Sequence, residues 1–330
     1  MVESKDGAGM KTVTLEEHYS TLAYQEAQRR RTSRALAARL PEITEKLTDL
    51  GAGRIAAMDE AGIDFQVLSL GSPGTEQLVG DEAESVAREA NDYLAEAIKQ
   101  YPTRYAGFAA LPTANPGKAA DELERRVREG FVGAVLNGHI GGRYLDDPFF
   151  WPILERAEAL NVPIYIHPTP PPKPVIDTSY TGHYSQEVTG VLSTSGWGWH
   201  IETALNVLRL ALGGGFDRYP KLQVIIGHLG EALPFMLQRI NRNLPRELTK
   251  LRRTMADYLR ENVNYTFSGF NFTPAFLDLF LEVGVDRIMF SVDYPYGSMS
   301  AARAFLEQLP VSSADKERIA HLNAEKLLRL

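Results

Sequence analysis

Two side chains near the start of the chain are of types that bind divalent metal ions. Glu16 and His18 follow the run of alternating apolar and polar residues from Lys11 to Leu15, which predicts a β-strand. Residues two apart in a strand point to the same face, so we expect Glu16 and His18 to share one cavity while Glu17 points away. An acid and an imidazole side by side at a strand end make half of a metal site, and the other half has to come from elsewhere in the chain.

Three later apolar segments also end in residues that can bind a metal or move a proton. These predicted strands end at His167, His228 and Asp293. A hard or borderline divalent cation binds imidazole nitrogen and carboxylate oxygen, with positions left open for water or substrate. Four strand ends that each carry such a residue are typical of the active site of a (β/α)8 barrel. We therefore predict one divalent metal ion bound by Glu16, His18, His167 and Asp293.

A carboxylate follows His228 at a spacing that allows the two side chains to meet. Glu231 is placed to accept a hydrogen bond from the His228 ring and to fix its tautomer and orientation. We predict that His228 and Glu231 form an acid–base pair beside the metal. The alternative is that His228 is itself a further metal ligand. Asn137 ends another predicted strand on the same side and is a candidate for supporting substrate or metal. A structural role is predicted for His183 and His200.

The order of the predicted elements indicates the fold. Eight strand-like segments alternate with helical segments and are apolar enough to be buried on both faces. The predicted strands begin with 11–15 and continue with 65–70, 107–111, 133–137, 162–167, 222–227, 263–267 and 287–292. No Gly-x-Gly-x-x-Gly motif follows an early strand, which disfavours a dinucleotide-binding fold. The sequence thus predicts an α/β protein with a (β/α)8 TIM barrel.

Two segments fall outside this repeating pattern. Residues 19–52 predict a helical insertion after the first strand, with a helix over about 23–40 and a break at Pro41. The arginine cluster at 29–34 is expected on the solvated face of this helix, and a subunit contact or a funnel for an anionic substrate is the alternative. Residues 168–199 have no clear periodicity and are predicted to be a functional loop. We assign residues 1–10 to an N-terminal tail and residues 11–330 to a single barrel domain.

Composition excludes several classes of function. The chain has 330 residues, a net charge of −7 and no cysteine. An acidic chain is not expected to bind nucleic acid, and the lack of cysteine excludes thiolate metal sites, disulfides and a cysteine nucleophile. No apolar run approaches the roughly 20 residues of a membrane span, so no membrane partner is predicted. A cytoplasmic location is the default expectation.

Four short motifs together resemble those of one enzyme family. They are the segments 14–18 (TLEEH), 165–168 (YIHP), 227–231 (GHLGE) and 291–295 (SVDYP). These motifs resemble the amidohydrolase-related metal-dependent decarboxylases, such as γ-resorcylate and 2,3-dihydroxybenzoate decarboxylases and, more distantly, aminocarboxymuconate-semialdehyde decarboxylase. The semialdehyde branch and the hydrolases open with His-x-His, whereas the hydroxybenzoate branch opens with Glu-x-His. Glu16 and His18 therefore place the chain closer to the hydroxybenzoate branch.

The resemblance runs from Lys11 to the C-terminus and implies roles for particular residues. Glu16, His18, His167 and Asp293 match the metal ligands, and His228 with Glu231 matches the acid–base pair. Arg239 matches the position of an arginine that contacts the acidic group of the substrate. Tyr294 and Tyr296 stand where the branch often has an aromatic residue after the aspartate, and Tyr296 is the one we assign to substrate. The cofactor implied is one divalent ion, with manganese preferred and zinc as the alternative, and the assembly implied is a homodimer or homotetramer.

The activity implied is non-oxidative decarboxylation of a hydroxybenzoate-type aromatic carboxylate by a carbon–carbon lyase. A divalent cation that binds the carboxylate and phenolate oxygens orients the substrate, and Asp293 donates a proton to the ring carbon. The alternative is a hydrolase or lactonase on the same scaffold that uses metal-activated water. Leu136 and Asn137 stand where a bridging lysine would be expected, which favours a mononuclear site and decarboxylation. A non-catalytic barrel, which would hold no metal in the same residues, is the third hypothesis.

Overall fold

Eight parallel strands form one sheet in the order β1 to β8. The computed structural model describes residues 9–30 and 41–330. The strands are β1 (Val13–Tyr19), β2 (Phe65–Leu70), β3 (Tyr105–Ala110), β4 (Gly133–Asn137), β5 (Ile164–His167), β6 (Val224–Ile226), β7 (Val263–Thr266) and β8 (Ile288–Met289). The Leu15 amide donates to the Phe290 carbonyl oxygen at 3.2 Å, which brings the end of β8 against β1. The predicted (β/α)8 TIM barrel is confirmed.

Helices follow the strands around the outside of the barrel. The longer ones are α1 (Leu22–Arg29), α2 (Pro41–Thr48), α3 (Ala52–Ala61), α4 (Gly80–Gln100), α5 (Pro116–Arg128), α6 (Trp151–Leu160), α7 (Gln186–Leu192), α8 (Gly198–Leu212), α9 (Leu233–Asn243), α10 (Met255–Glu261), α11 (Thr273–Val283) and α12 (Met299–Gln308). Shorter helical segments are Pro148–Phe150, Lys173–Val175, Ile176–Tyr180, Gly215–Arg218, His228–Gly230, Arg246–Thr249, Val285–Arg287, Ser313–Glu317, Arg318–Leu322 and Asn323–Leu328.

The helical insertion after β1 is present as α1 and α2. Helix α1 begins after Thr21, whose side chain accepts from the Tyr24 amide, and it ends at Arg29. The rest of the helix predicted over 23–40 falls in residues 31–40, outside the described part of the chain. Pro41 is the first residue of α2, a position that suits proline because the amide there needs no partner within the helix.

The barrel is filled by apolar side chains that alternate along its strands. The buried interior set includes Val13, Leu15, Val67, Phe108, Val135, Tyr165, Ile225 and Met289. The alternate residues of the same strands face outward and pack against the helices. Burying one such side chain stabilises the fold by about 1.5–3 kcal/mol. The strands are therefore held rigidly, and the residues at their C-terminal ends have fixed positions.

Several boundaries differ from those that the sequence predicts: β1 extends to Tyr19 and not only to residue 15, and β8 ends at Met289 and not at residue 292. The segment 168–199 is not one irregular loop, because it contains two short helical segments and α7. Helix α9 begins at Leu233, since Glu231 and Ala232 have left-handed backbones and Pro234 lies in the first helical turn. The C-terminal residues form three consecutive helical segments, Ser313–Glu317, Arg318–Leu322 and Asn323–Leu328. Among the described residues, no helix has both the length and the apolar character needed to cross a membrane.

Candidate metal centre

The four predicted metal ligands meet at the C-terminal end of the barrel. Glu16 and His18 come from β1, His167 ends β5, and Asp293 follows β8. One ligand atom from each of the four lies within 4.8 Å of the others. His18 Nε2 is 3.1 Å from Asp293 Oδ1, and His167 Nε2 is 3.3 Å from Glu16 Oε1. The structure thus brings together in space the set that the sequence predicts.

A bulge in β1 aims Glu16 at this centre. The pairing of β1 with β2 shifts register between Leu15 and Glu17, and the φ angle of Glu16 is 67°. Asp293 has the same left-handed φ of 67°. A left-handed backbone at a residue other than glycine costs on the order of 1–3 kcal/mol, and such residues concentrate at functional sites. Alternation along an ideal strand predicts the shared face of Glu16 and His18, but it does not predict this bulge.

One carboxylate oxygen of Glu16 is held by hydroxyl groups. The Tyr165 hydroxyl and Ser268 Oγ both donate to Glu16 Oε2. Gly227 lies against the same oxygen, and a Cβ atom at this position would overlap it and come within 2.6 Å of Ser268 Oγ. These contacts fix the carboxylate plane and leave Oε1 facing the other three ligands.

Two ligand atoms lack the partners that buried polar atoms need. Glu16 Oε1 and His18 Nε2 are buried and accept or donate no hydrogen bond among the described residues. An unsatisfied buried polar atom costs about 1–3 kcal/mol, and a cation at this point would satisfy both. Two imidazole nitrogens and two carboxylate oxygens form a donor set that suits Mn²⁺ or Zn²⁺. The residues present therefore fit a divalent metal ion.

The low pKa of Glu16 and the orientation of the His167 ring also suit a cation. Burial alone would raise the pKa of Glu16, but the imidazoles of His228, His167 and His18 outweigh it and hold that pKa well below its usual value. His167 Nδ1 lies 2.9 Å from the Pro168 carbonyl oxygen, which can only accept. The proton of a neutral His167 ring is therefore on Nδ1, and the Nε2 lone pair is free to bind metal.

The predicted acid–base pair lies beside the four ligands. His228 Nδ1 and Glu231 Oε1 are 2.7 Å apart, and His228 Nε2 is 4.0 Å from Glu16 Oε1. The two residues are on a turn in which both have left-handed φ angles, 50° at His228 and 55° at Glu231. The left-handed backbone within this short segment, which also includes Leu229 with a φ of 54°, brings the carboxylate back to the ring.

Electrostatic attraction makes His228 a strong base. Burial on its own would lower the pKa of His228, but the carboxylates of Glu231 and Glu16 outweigh this effect and raise it to about 10. Burial would likewise raise the pKa of Glu231, and the imidazoles of His228 and His200 hold it below its usual value instead. In the metal-free protein at neutral pH, His228 is an imidazolium between two carboxylates.

Sequence reasoning missed the part that His200 plays in this network. His200, near the start of α8, lies with Nδ1 2.6 Å from Glu231 Oε2, and its ring is 4.6 Å from that of His228. Phe270 packs 5.1 Å from each of the two rings. The chain separation between His200 and Glu231 is 31 residues, so no spacing rule connects them. The one available signal was a histidine at the junction of the loop 168–199 and a helix.

The three predicted substrate-contacting residues have different surroundings. Asn137 is buried, its amide donates to Glu76 Oε1 at 2.8 Å, and its own Oδ1 has no partner among the described residues. The Tyr296 ring is partly exposed, with its centroid 5.9 Å from that of His18. Arg239 lies on the exposed side of α9, where it lines a surface depression of about 390 Å³, and no contact joins it to the four ligands.

Glu76 is a second residue that the sequence analysis did not identify. It lies between β2 and α4, is buried, and hydrogen-bonds both the amide and the side chain of Asn137. Burial raises the pKa of Glu76 to about 7, although its hydrogen bonds with Asn137 partly oppose the shift. Gly74 permits this approach, because a Cβ atom there would overlap the side chains of both residues.

Imidazoles and carboxylates that meet at the C-terminal ends of barrel strands are typical of metal-dependent TIM-barrel enzymes, and this protein has that arrangement. The sequence profile of the amidohydrolase family matches residues 34–330. A γ-resorcylate decarboxylase of Polaromonas sp. is 40% identical over 302 residues, which cover 88% of this chain and 90% of that protein.

Solved structures of aromatic acid decarboxylases are also similar to this chain. A dihydroxybenzoic acid decarboxylase from Polaromonas sp. JS666, with bound manganese and the inhibitor 2-nitroresorcinol, has a TM-score of 0.88 at 37% identity and 97% coverage of both chains. A 5-carboxyvanillate decarboxylase from Novosphingobium aromaticivorans, complexed with manganese and a nitrobenzoic acid, has a TM-score of 0.88 at 33% identity, covering 98% of this chain and 97% of that one. The chain belongs to the amidohydrolase family, and it is a carboxy-lyase of the amidohydrolase superfamily.

Proposed function

We propose that this chain, a metal-dependent aromatic acid decarboxylase of the hydroxybenzoate type, removes CO2 non-oxidatively from an ortho-hydroxybenzoate with Asp293 as the proton donor. The observation that carries the proposal is the convergence of Glu16, His18, His167 and Asp293 within 4.8 Å, with buried atoms that lack partners. The relatives described above are named for decarboxylation of hydroxylated benzoic acids, and two of them hold manganese.

The metal supplies one part of the chemistry. When bound, a divalent cation would orient the acidic end of the substrate and stabilise the negative charge that develops there. Manganese is the preferred ion and zinc the alternative, since both suit mixed imidazole and carboxylate ligation. Glu16, His18 and His167 are nearly fully buried and serve to hold the ion.

Asp293 supplies the proton. Its side chain is 20% exposed, so of the four ligand side chains it is the one most open to an incoming ring. A protonated Asp293 carboxyl transfers its proton to the ring carbon that carries the carboxylate, which interrupts aromaticity. The bond from that carbon to CO2 then breaks, its electron pair restores the aromatic ring, and CO2 leaves. His228, oriented by Glu231, returns a proton to the Asp293 carboxylate.

Three further residues are proposed to contact substrate. Asn137 is buried next to His167 in the register of β4 and β5, and Tyr296 lies beside the His18 ring. Arg239 is proposed to neutralise the acidic group of the substrate, and this role stays a prediction because the residue is exposed on α9. If Arg239 contacts substrate, Arg239→Met raises KM for the hydroxybenzoate without changing the affinity for Mn²⁺. A homodimer or homotetramer also stays a prediction, which the mass of the purified protein in solution tests.

An assay of CO2 release tests the proposed function. Purified protein is stripped of metal, reloaded with Mn²⁺ or Zn²⁺, and given hydroxybenzoates with and without an ortho hydroxyl group. We expect metal-dependent CO2 release from an ortho-hydroxybenzoate and none from the matched para isomer. Asp293→Asn should lower kcat by about 10²–10⁴-fold, the usual contribution of a general acid.

Asp286→Asn is the matched control, because Asp286 is an exposed carboxylate at the opposite end of β8. It should retain the activity of the unmodified protein. Turnover of lactones or amides without CO2 release would support the hydrolase alternative and contradict the proposal.

A further inference from the structure

The middle residue of the first motif, Glu17, lies on the opposite face of β1 from the metal ligands. Its side chain is completely buried and does not reach the ligand cluster. Glu17 Oε1 accepts from the Val292 amide at 2.9 Å, and Oε2 accepts from the Tyr294 amide at 3.2 Å. The two amides belong to the residues on either side of Asp293. One carboxylate therefore holds the peptide groups that flank the proposed proton donor.

The backbone of Asp293 needs such support. Its φ angle is 67°, a conformation that residues with a side chain adopt at a cost on the order of 1–3 kcal/mol. Strand β8 ends at Met289, so the regular ladder does not extend to this segment. The Asp293 carbonyl accepts from the amides of Tyr296 and Gly297, which fixes the following turn. Glu17 fixes the amides of Val292 and Tyr294, which would otherwise lack strand partners.

Neighbouring contacts make this connection rigid. The His18 amide donates to the Tyr294 carbonyl oxygen at 2.7 Å. Arg54, also buried, donates from Nη1 to the His18 carbonyl oxygen at 2.7 Å and lies 4.7 Å above the Tyr294 ring. Burial raises the pKa of Glu17 to about 8, and the hydrogen bond from the Val292 amide and the charge of the Arg54 guanidinium only partly oppose this shift. Each of the two hydrogen bonds to Glu17 contributes about 0.5–1.5 kcal/mol, so the pair is comparable in size to the conformational cost at Asp293.

We propose that Glu17 is a positioning residue that locks the left-handed backbone of Asp293 and so directs its carboxylate toward His18 and the cation. Glu17 itself touches neither metal nor substrate. The effect on catalysis rests on the proposed function of Asp293 as proton donor. The effect on metal affinity does not, because it requires only that Asp293 is a ligand.

Glu17→Gln is the direct test, since glutamine has the same shape but presents an NH2 group to one of the two amides. We expect the Kd for Mn²⁺, measured by electron paramagnetic resonance of the free ion, to rise by about 10–100-fold, as is typical when the support of a metal ligand is removed. At saturating Mn²⁺ we expect kcat to fall while KM for the hydroxybenzoate stays nearly constant. Glu122→Gln is the matched control, because Glu122 is a buried carboxylate on α5 that is remote from the metal centre. The control should change stability without changing the Kd for Mn²⁺.

A double-mutant cycle with Asp293→Asn separates positioning from general destabilisation. If Glu17 acts through Asp293, adding Glu17→Gln to Asp293→Asn has no further effect on the Kd for Mn²⁺. Additive effects in the cycle, or an unchanged Kd in Glu17→Gln, overturn the proposal. Should Glu17→Gln fail to fold, Glu17→Asp is put through the same cycle, since its shorter carboxylate cannot reach both amides equally. If the unmodified protein binds Mn²⁺ but releases no CO2, the proposed function fails while the cycle on metal affinity still tests the positioning role.

Discussion

His228 and Glu231 form a hydrogen bond of 2.7 Å between Nδ1 and Oε1, and the opposite nitrogen of His228 faces Glu16 Oε1 at 4.0 Å. The ring is thus oriented from behind by one carboxylate and turned toward the metal ligands. The same arrangement raises the pKa of His228 to about 10 against the effect of burial. The pair therefore holds a proton close to the proposed reaction centre.

Glu231→Gln should lower the pKa of His228. In the metal-free protein we expect the pKa to fall from about 10 toward its usual value near 6.5, because the larger of the two attractions is lost. Because the pKa of His228 is higher in the folded than in the unfolded protein, protonated His228 stabilises the folded state. This stabilisation is fully present below about pH 6.5 and is lost as the pH rises through about 10. Glu231→Gln should therefore reduce this pH dependence of the free energy of unfolding. Nitrogen-15 NMR of the histidine rings measures the pKa directly, and a His228 pKa still near 10 in the variant would contradict the electrostatic account.

His200→Gln should lower kcat by about tenfold, as is typical when a residue that orients the side chains around a metal site is lost. Glu231 Oε2 would lose the short hydrogen bond that His200 Nδ1 now makes at 2.6 Å, and the carboxylate would be freer to turn away from His228. His183→Gln is the control, because His183 lies in the preceding segment 168–199 and is exposed. Steady-state kinetics of both variants check this prediction, and equal activities of the two would show that His200 has no positioning role.

The sequence predicts most of the metal centre because its ligands come from strand ends. The position of a strand end in a barrel follows from the topology, so Glu16, His18, His167 and Asp293 could be placed together from residue type and the apolar runs before them. The resemblance of the motifs gave the same four residues. The bulge at Glu16 and the left-handed turn that joins His228 to Glu231 depend on tertiary contacts, and local patterns do not encode them.

Residues that reach the centre from helices and loops could not be predicted. His200 approaches Glu231 from α8, and Ser268 reaches Glu16 from the segment after β7. Neither stands in a motif with a chemical signature, and their separations along the chain from their partners are 31 and 252 residues. Short-range periodicity likewise gave no sign of the helices within 168–199, since each is only a few residues long.

Gly227→Ala should weaken metal binding. A Cβ atom at this position would overlap Glu16 Oε2 and crowd Ser268 Oγ, so the Glu16 carboxylate would have to move out of its present plane. We expect the Kd for Mn²⁺ to rise by about tenfold or more, as for other losses of ligand support. Gly190→Ala is a matched control, because Gly190 lies in α7 with open space around it. Isothermal titration calorimetry with Mn²⁺ measures the Kd of both variants. An unchanged Kd in Gly227→Ala would show that the position of the Glu16 carboxylate does not depend on the close approach of Gly227.

Glu76→Gln should make the protein more stable at pH 8. The pKa of Glu76 is raised by burial from 4.5 to about 7, so this group favours the folded state below about pH 4.5, and that advantage is lost as the pH rises through about 7. Glutamine remains neutral and can still accept from the Asn137 amide. We expect the variant and the unmodified protein to differ little at pH 5 and the variant to be more stable at pH 8. Urea unfolding at the two pH values checks this, with Glu96→Gln, an exposed carboxylate, as the control. A stability difference that is the same at both pH values would contradict it.

The central claim is that side chains from three strand ends bind one cation. Anomalous X-ray scattering from a crystal grown with Mn²⁺ tests it most directly. We expect a single strong peak within coordinating distance of Glu16, His18, His167 and Asp293, and loss of that peak in Asp293→Asn crystals at limiting Mn²⁺. A crystal saturated with Mn²⁺ that shows no peak among these four side chains, or shows one held by other residues, would contradict it.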